Sequence, residues 1–466
     1  CRVEFSRPKP VPDCRDAPPR LAASGRPVYT ARPFRFAQES MSSHPGGTQV
    51  LRQQGFLPFL IARLAAVFAM QIQAVVVAWQ VYDLTRDPLA LAYVGLAQFI
   101  PMLLLLLPAG DLADRHSRKR LLAGSWLVQA LCSGLLLLLS LSPLPEVRYY
   151  YAVLVLYGSA RAFTGPTLQS LLPQIVPRGQ LARAIAVNSM IMKLAVIGGP
   201  LVGGLLYALG GSLAYGVCLG AFLLALVLLA PVRARYAGGA KPPEATAWHR
   251  FTAGIGYIRS RPVILGAISL DLFAVLLGGV VALLPIYAQE VLMVGPEGLG
   301  ALRSAIALGA LLMGVALSTW SLNRRVGPAM FVAVLVFGLA NLVFAFSTLF
   351  WLSFAALLVA GAADMISVYI RSTLIQLATP DEMRGRVSAV NMLFIGSSNE
   401  LGEFRAGTSA AWFGTVPAAV IGGVSTLAVA GTWMWGFRSL LRVDRFGDVE
   451  PQAIPEQQEQ AVRHQG

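Results

Sequence analysis

Long apolar runs separated by short polar segments dominate the chain. Runs such as 56–82 and 262–288 exceed the roughly 20 apolar residues that cross a bilayer as a helix. Reading these runs against Gly, Pro and charge punctuation predicts helical spans near 56–82, 88–109, 121–142, 148–170, 184–208 and 212–232. A polar stretch at 233–261 follows, with Arg233, Arg235, Lys241, Pro242, Pro243, Arg250, Arg259 and Arg261. Six further spans are predicted near 262–288, 298–320, 328–348, 350–371, 386–410 and 414–436. The expected fold is an all-α integral membrane protein of twelve helices. Its expected segments are a disordered polar leader (1–50), a first six-helix bundle (51–232), a cytoplasmic linker (233–261), a second bundle (262–436) and a cytoplasmic polar tail (437–466).

Loop charge alternates along this pattern. Connections after even-numbered spans hold Arg115, Arg118, Lys119, Arg120, Arg178, Arg183, Arg324, Arg325, Arg384 and Arg386, whereas those after odd-numbered spans hold little beyond Arg86 and Arg148. Basic loops stay on the cytoplasmic side, which predicts both termini inside. The net charge of +14 is therefore explained by a bilayer rather than by nucleic acid. With 56% hydrophobic and 13% charged residues, the chain cannot clothe a water-facing surface, since soluble domains carry about a quarter charged residues. Residues 1–40 are rich in Pro and Arg, lack an apolar stretch and precede Met41. They do not resemble a signal peptide and read as sequence upstream of the native start. The four cysteines show no metal-type spacing, so neither a disulfide nor a metal site is expected.

The two halves share sequence at an offset of 203 residues. Pro177 pairs with Pro380, Arg183 with Arg386, Ala186 with Ala389, Val187 with Val390, Asn188 with Asn391, Gly199 with Gly402 and Gly204 with Gly407. Such repetition predicts two parallel six-helix repeats with a cargo cavity between them near the midplane.

The loop after span 2 reads Gly110-Asp111-Leu112-Ala113-Asp114-Arg115-His116-Ser117-Arg118-Lys119-Arg120. It resembles the G-x-L-a-D-r-x-G-r-k signature of the major facilitator superfamily, with Ser117 in place of the second glycine. Gly110, Asp114, Arg115, Arg118 and Lys119 are then expected to form a conformational switch, with a tight turn at Gly110. In span 4, Arg161-Ala162-Phe163-Thr164-Gly165 is similar to the R-x-x-q-G motif of the same superfamily, which is associated with proton transfer in antiporters. In span 5, Gly198-Gly199-Pro200-Leu201-Val202-Gly203-Gly204 is similar to the G-P-x-x-G-G end of the motif that marks its exporters. Gly199, Pro200, Gly203 and Gly204 are small or helix-bending residues suited to close helix packing. Longer stretches at 79–85, 161–188, 271–275, 384–391 and 398–403 resemble the subgroup of enterobactin exporters and related drug or macrolide efflux proteins. The likeness extends over 51–440 and implies a major facilitator fold.

Ionisable residues inside apolar runs are functional-site hypotheses, because charge is costly there. Arg161, Lys193, Asp271, Asp364, Glu400 and Glu403 are proton-coupling candidates, and Arg63, Gln71, Tyr157 and Asn391 are cavity candidates. Tyr157 and Thr164 are expected on the face of Arg161. Asp271, about nine residues into span 7, should be protonated or paired with Arg161, Arg63 or Lys193. Asp364 and Arg371 lie about 10 Å apart along one helix face, and Arg371 is expected to end span 10 at the inner surface. Helix-locking ion pairs are the alternative for each of these charges.

Together these readings imply a proton-coupled exporter of an amphipathic small molecule, a siderophore or a drug, in the bacterial inner membrane. Cargo, protons and lipid are the expected partners, with no cofactor, no nucleic acid and a monomeric state. No Lys-Ser/Thr phosphate-binding loop is evident, so ATP is not the expected energy source. Proton-coupled uptake is the alternative within transport, and a non-transporting receptor or assembly factor the alternative outside it. An enzyme is not expected, because no histidine cluster or nucleophile-base pair appears.

Overall fold

The computed structural model describes residues 55–144, 146–177, 180–232, 247–320, 322 and 324–449. The leader, the first part of the linker and the last part of the tail lie outside the described residues. Spans 1 to 6 are α1 (Phe56–Thr85), α2 (Pro88–Arg115), α3 (Arg118–Leu141), α4 (Val147–Ile175), α5 (Leu181–Leu209) and α6 (Gly211–Leu229). The end of the linker folds as α7 (Ala247–Ser260). Spans 7 to 12 are α8 (Pro262–Gly278) with its continuation to residue 291, then α9 (Gly295–Thr319), α10 (Val326–Phe346), α11 (Phe350–Ala378), α12 (Asp381–Phe413) and α13 (Thr415–Gly436). Helix is the expected choice here, because a chain in lipid must satisfy its own backbone hydrogen bonds.

Ten of these helices are long and apolar enough to cross a membrane. The two spans outside that set, α4 and α12, are long but more polar, and they carry Arg161 and Glu400. Leu104, Leu138, Leu209 and Trp351 are exposed on the flanks, as side chains facing lipid should be. Several helices run past their predicted ends, because counting apolar residues stops at the first charge while the helix continues into the polar zone. One consequence corrects the expectation for Gly110: it lies within α2, and the turn falls at His116 and Ser117.

The packing of the first half is repeated in the second. Spans 1 and 5, 1 and 6, 2 and 4, 3 and 4, and 3 and 6 pack together in the first. Spans 7 and 11, 7 and 12, 8 and 10, 9 and 10, and 9 and 12 do so in the second. Shifting by six spans maps one set onto the other, and it exchanges the two main inter-half contacts, α2 with α12 and α5 with α9. The glycines shared at the 203-residue offset take matching places. A Cβ on Gly199 would lie 2.5 Å from Gln71 of span 1, and one on its counterpart Gly402 would lie 3.0 Å from the Val275 carbonyl of span 7. A Cβ on Gly204 would lie 2.3 Å from the Pro296 carbonyl of span 8, and one on Gly407 2.9 Å from Ala92 and Pro88 of span 2. These positions are glycine because neighbouring helices approach too closely for a side chain.

The halves meet tightly at one end and stand apart at the other. Along the stripe of α5 that faces α9, Gly204 and Pro200 touch Pro296 and Gly300, and Ser304 donates to the Ile197 carbonyl at 2.7 Å. One and two turns earlier on this stripe, Lys193 and Leu194 and then Met190 are exposed. At the closed end Tyr82 donates to Glu290, and Arg86 Nη1 donates to Gln289 Oε1 at 2.7 Å. The open end carries the basic loops after even-numbered spans. There α7 lies against α12 and reaches α2, with Tyr257 donating to the Ala378 carbonyl at 2.9 Å.

Spans 1 and 7 differ although they occupy equivalent places. Span 1 is one continuous helix, whereas span 7 breaks after Gly278 and resumes through a 3-10 turn (Val281–Leu283), a short α segment (Leu284–Ile286) and a π-helical turn (Tyr287–Val291). A helix end leaves carbonyls unsatisfied; side chains from two neighbours serve them, and a third bonds the turn just before. Arg405 donates to the Leu276 and Gly279 carbonyls, Asn341 to Gly278 and Thr426 to Ala274. The start of the expected polar tail also folds: Leu440 is buried, and Val326 and Gly327 donate backbone hydrogen bonds to Asp444 and Val443.

Candidate functional site

Among the described residues, a cleft in the first half and a cavity in the second are lined by polar side chains of the spans. The first is lined by Gln71, Gln73, Gln98, Tyr157 and Arg161 with apolar neighbours. Its polar wall is extended by buried bonds that tie α1, α3 and α4 together, from Ser133 to Gln73 at 2.6 Å and from Gln129 to Thr164 at 3.0 Å. Thr164 accordingly turns to Ser125 and Gln129, not to Arg161. Tyr157 shares the cleft with Arg161, and its hydroxyl has no hydrogen-bond partner.

The second cavity lies beside the break in span 7 and is lined by Asp271, Asn341, Asp364, Arg371, Asn399 and Glu403 among apolar side chains. Arg371 is only 2% exposed and donates to Asp271, while Ser367 lies 3.4 Å from the same carboxylate. This corrects two expectations. Asp271 pairs with Arg371 of its own half, not with Arg161, Arg63 or Lys193, and Arg371 is a core residue because α11 continues to Ala378. Desolvating two charges is costly, and a close, hydrogen-bonded pair offsets part of that cost.

Between the clefts, one ion pair among the described residues crosses from half to half. Arg161 Nη1 of α4 lies 3.8 Å from Glu400 Oε1 of α12 and 3.3 Å from Gln98 Oε1 of α2. Arg303 of α9 is within electrostatic reach of Glu400 and Glu403. The positions of Arg161 and Asp364 correspond at the 203-residue offset. Three residues before each, Gly158 and Gly361 press against the Gln98 and Ile306 carbonyls of the neighbouring span, where a Cβ would lie 2.2 and 2.0 Å away. Equivalent places in the two repeats therefore carry opposite charges.

The other sequence-predicted residues are scattered. Lys193 is exposed on the open stripe of α5, Arg63 is half-buried with its Nε unpartnered, and Asn391 is half-buried with its Oδ1 unpartnered. Gly199 and Gly203 face α1, whereas Pro200 and Gly204 face α9. Arg118 Nη1 donates to the Ser170 carbonyl at 2.8 Å and Lys119 Nζ to the Ala230 carbonyl at 2.6 Å, so both tie helix ends at the open side. The side chains of Asp114 and Arg115 lie outside the described residues. Gln98, Arg303, Asn341 and Arg405 were missed by sequence reasoning. Gln98, Arg303 and Asn341 are polar residues inside apolar runs, which was the available signal, whereas Arg405 lies in the more polar span 11 and gave none.

The sequence pattern of the transmembrane secretion effectors matches residues 46–465, nearly the whole described chain. The chain belongs to this family, within the major facilitator superfamily. It is 26% identical over 347 residues to the enterobactin exporter EntS of Shigella dysenteriae serotype 1 (strain Sd197), covering 72% of this chain and 80% of the relative. The same figures hold for EntS of Escherichia coli O1:K1 / APEC. Among solved structures, a bacterial homologue of the human lysosomal transporter Spinster, in an inward-facing and occupied conformation, is similar at a TM-score of 0.65 with 15% identity, covering 85% of this chain and 98% of the other. A bacterial homologue of the iron transporter ferroportin, inward-facing, is similar at 0.62 with 17% identity, covering 81% and 98%. Fold and relatives are those of membrane transporters, not enzymes. The family member described here is thus a major facilitator transporter with twelve spans in two repeats.

Proposed function

We propose that this transporter exports an amphipathic small molecule, a siderophore or a drug, across the bacterial inner membrane in exchange for protons. The observation that carries the reading is the pair of Arg161 and Glu400, which joins the halves between the two clefts. A partly exposed carboxylate beside a cation can exchange a proton with the open side, and protonating Glu400 would remove its attraction to Arg161. A contact present in one state and absent in the other biases alternating access. By the loop-charge rule the open end faces the cytoplasm, where an exporter loads its cargo. The name of the EntS relatives supports export over uptake, and the Gly199 to Gly204 segment supports it through its resemblance to exporters. Protons supply the energy in this reading, with no role for ATP, and the monomer suffices because both clefts lie in one chain.

The test compares a deletion strain with its parent. Loss of secreted siderophore, or hypersensitivity to members of a drug panel, is expected. Unchanged secretion and sensitivity would remove export, and a loss of uptake would reverse the direction.

A further inference from the structure

Counting charges separates the two pairs of acids around the clefts. Glu400 and Glu403 of α12 are opposed by Arg161 and Arg303. Asp271 and Asp364 share one buried cation, Arg371, which donates to Asp271. Lys193, across the opening on α5, also acts on Asp364 but is exposed. Arg405 is directed at the carbonyls of the span 7 break. Asp364 itself makes no ion pair or hydrogen bond among the described residues, although it lines the second-half cavity. An uncompensated carboxylate in such a place calls for a positive partner.

A second observation points the same way. Asn341 is 1% exposed and lines this cavity; its Nδ2 donates to the Gly278 carbonyl at 3.1 Å, and its Oδ1 has no partner. A buried acceptor left open is costly unless a ligand meets it. The remaining wall, including Val275, Ile306, Phe337 and Leu357, is apolar. Arg371 Nε is also unpartnered, but its charge is already matched by Asp271, so the surplus is negative.

Resting on the exporter reading, we infer that the second-half cavity binds a monovalent organic cation with an apolar body, whose charge is held by Asp364 and Asn341 Oδ1. The first-half cleft, with Arg161 and three glutamines, takes the uncharged or acceptor-rich end. This makes the cargo a lipophilic cation and disfavours an anionic siderophore.

Equilibrium binding to the purified full-length protein in detergent tests this with two probes of one shape and opposite charge, tetraphenylphosphonium and tetraphenylborate. Saturable binding of tetraphenylphosphonium only is expected, weakened about tenfold by Asp364→Asn and less by Asn341→Leu. Gel filtration of each variant checks folding. Equal binding of both probes, no binding of tetraphenylphosphonium, or an unchanged Kd in a folded Asp364→Asn variant overturns the inference. If that variant does not fold, the two probes on the unaltered protein still decide it. Proton-driven siderophore transport by a protein that does not bind tetraphenylphosphonium would overturn the cation and leave the exporter reading standing.

Discussion

The two halves are alike where helices touch and unlike where a ligand could sit. Matching glycines, Gly199 with Gly402 and Gly204 with Gly407, keep the same helix contacts in both repeats. At equivalent positions, however, the first half carries Arg161 and the second Asp364. Span 1 is continuous, and span 7 is broken and pinned by Arg405, Asn341 and Thr426. Packing thus conserves the pseudo-symmetry, while the polar chemistry departs from it. A cavity between opposite poles can orient an amphipathic molecule, which two identical halves could not do.

The largest effect should come from unpairing the second half's buried charge. Arg371→Met leaves the Asp271 carboxylate without its cation and should cost about 3–5 kcal/mol of stability, read as thermal unfolding in detergent. Arg161→Met, in the first half, removes a longer and partly exposed contact and should cost less than about 1 kcal/mol. Equal losses would erase the contrast between the halves. Adding Asp271→Asn to Arg371→Met should restore most of the lost stability.

A smaller effect is expected where the symmetry is kept. Gly204→Ala forces a Cβ to within 2.3 Å of the Pro296 carbonyl and should destabilise the closed end by about 1–3 kcal/mol. Gly407→Ala, whose nearest contacts lie at 2.9 Å, should have the same sign and a lesser size. An effect of opposite sign at Gly407 would separate two contacts that the repeat relates.

A local effect is expected at the latch of the closed end. Tyr82→Phe removes one hydrogen bond to the Glu290 carboxylate, worth about 1.5 kcal/mol, and should shift the balance toward opening there about tenfold. Labelling of Leu299→Cys, a buried position at the start of α9, with an impermeant reagent should then be faster. Unchanged labelling would mean that the bond does not hold this end shut.

The architecture was legible in the sequence because bilayer thickness sets the length of each apolar run and close helix contacts demand small residues at repeated positions. The site was legible only in part. The charged residues stood out, but their partners did not, because Asp271 and Arg371 lie 100 residues apart on different spans. Arg371 looked interfacial since the apolar run fades there, whereas α11 continues for seven more residues to Ala378. The break in span 7 was hidden because 262–288 is apolar apart from Ser269 and Asp271; Gly278, Gly279 and Pro285 were its local traces. Helix α7 was read as linker, although Trp248, Phe251, Ile255 and Ile258 fall at helical spacing.

The most direct test of coupling across the halves is transport into proteoliposomes under an imposed pH gradient, with enterobactin and tetraphenylphosphonium offered separately and rates normalised to reconstituted protein. For the unaltered protein, movement of at least one of them should require the gradient and collapse with a protonophore, and Glu400→Gln should abolish that dependence while the protein stays folded. Gradient-independent movement, or an undiminished pH dependence in Glu400→Gln, would contradict a role for the Arg161 and Glu400 pair in proton coupling.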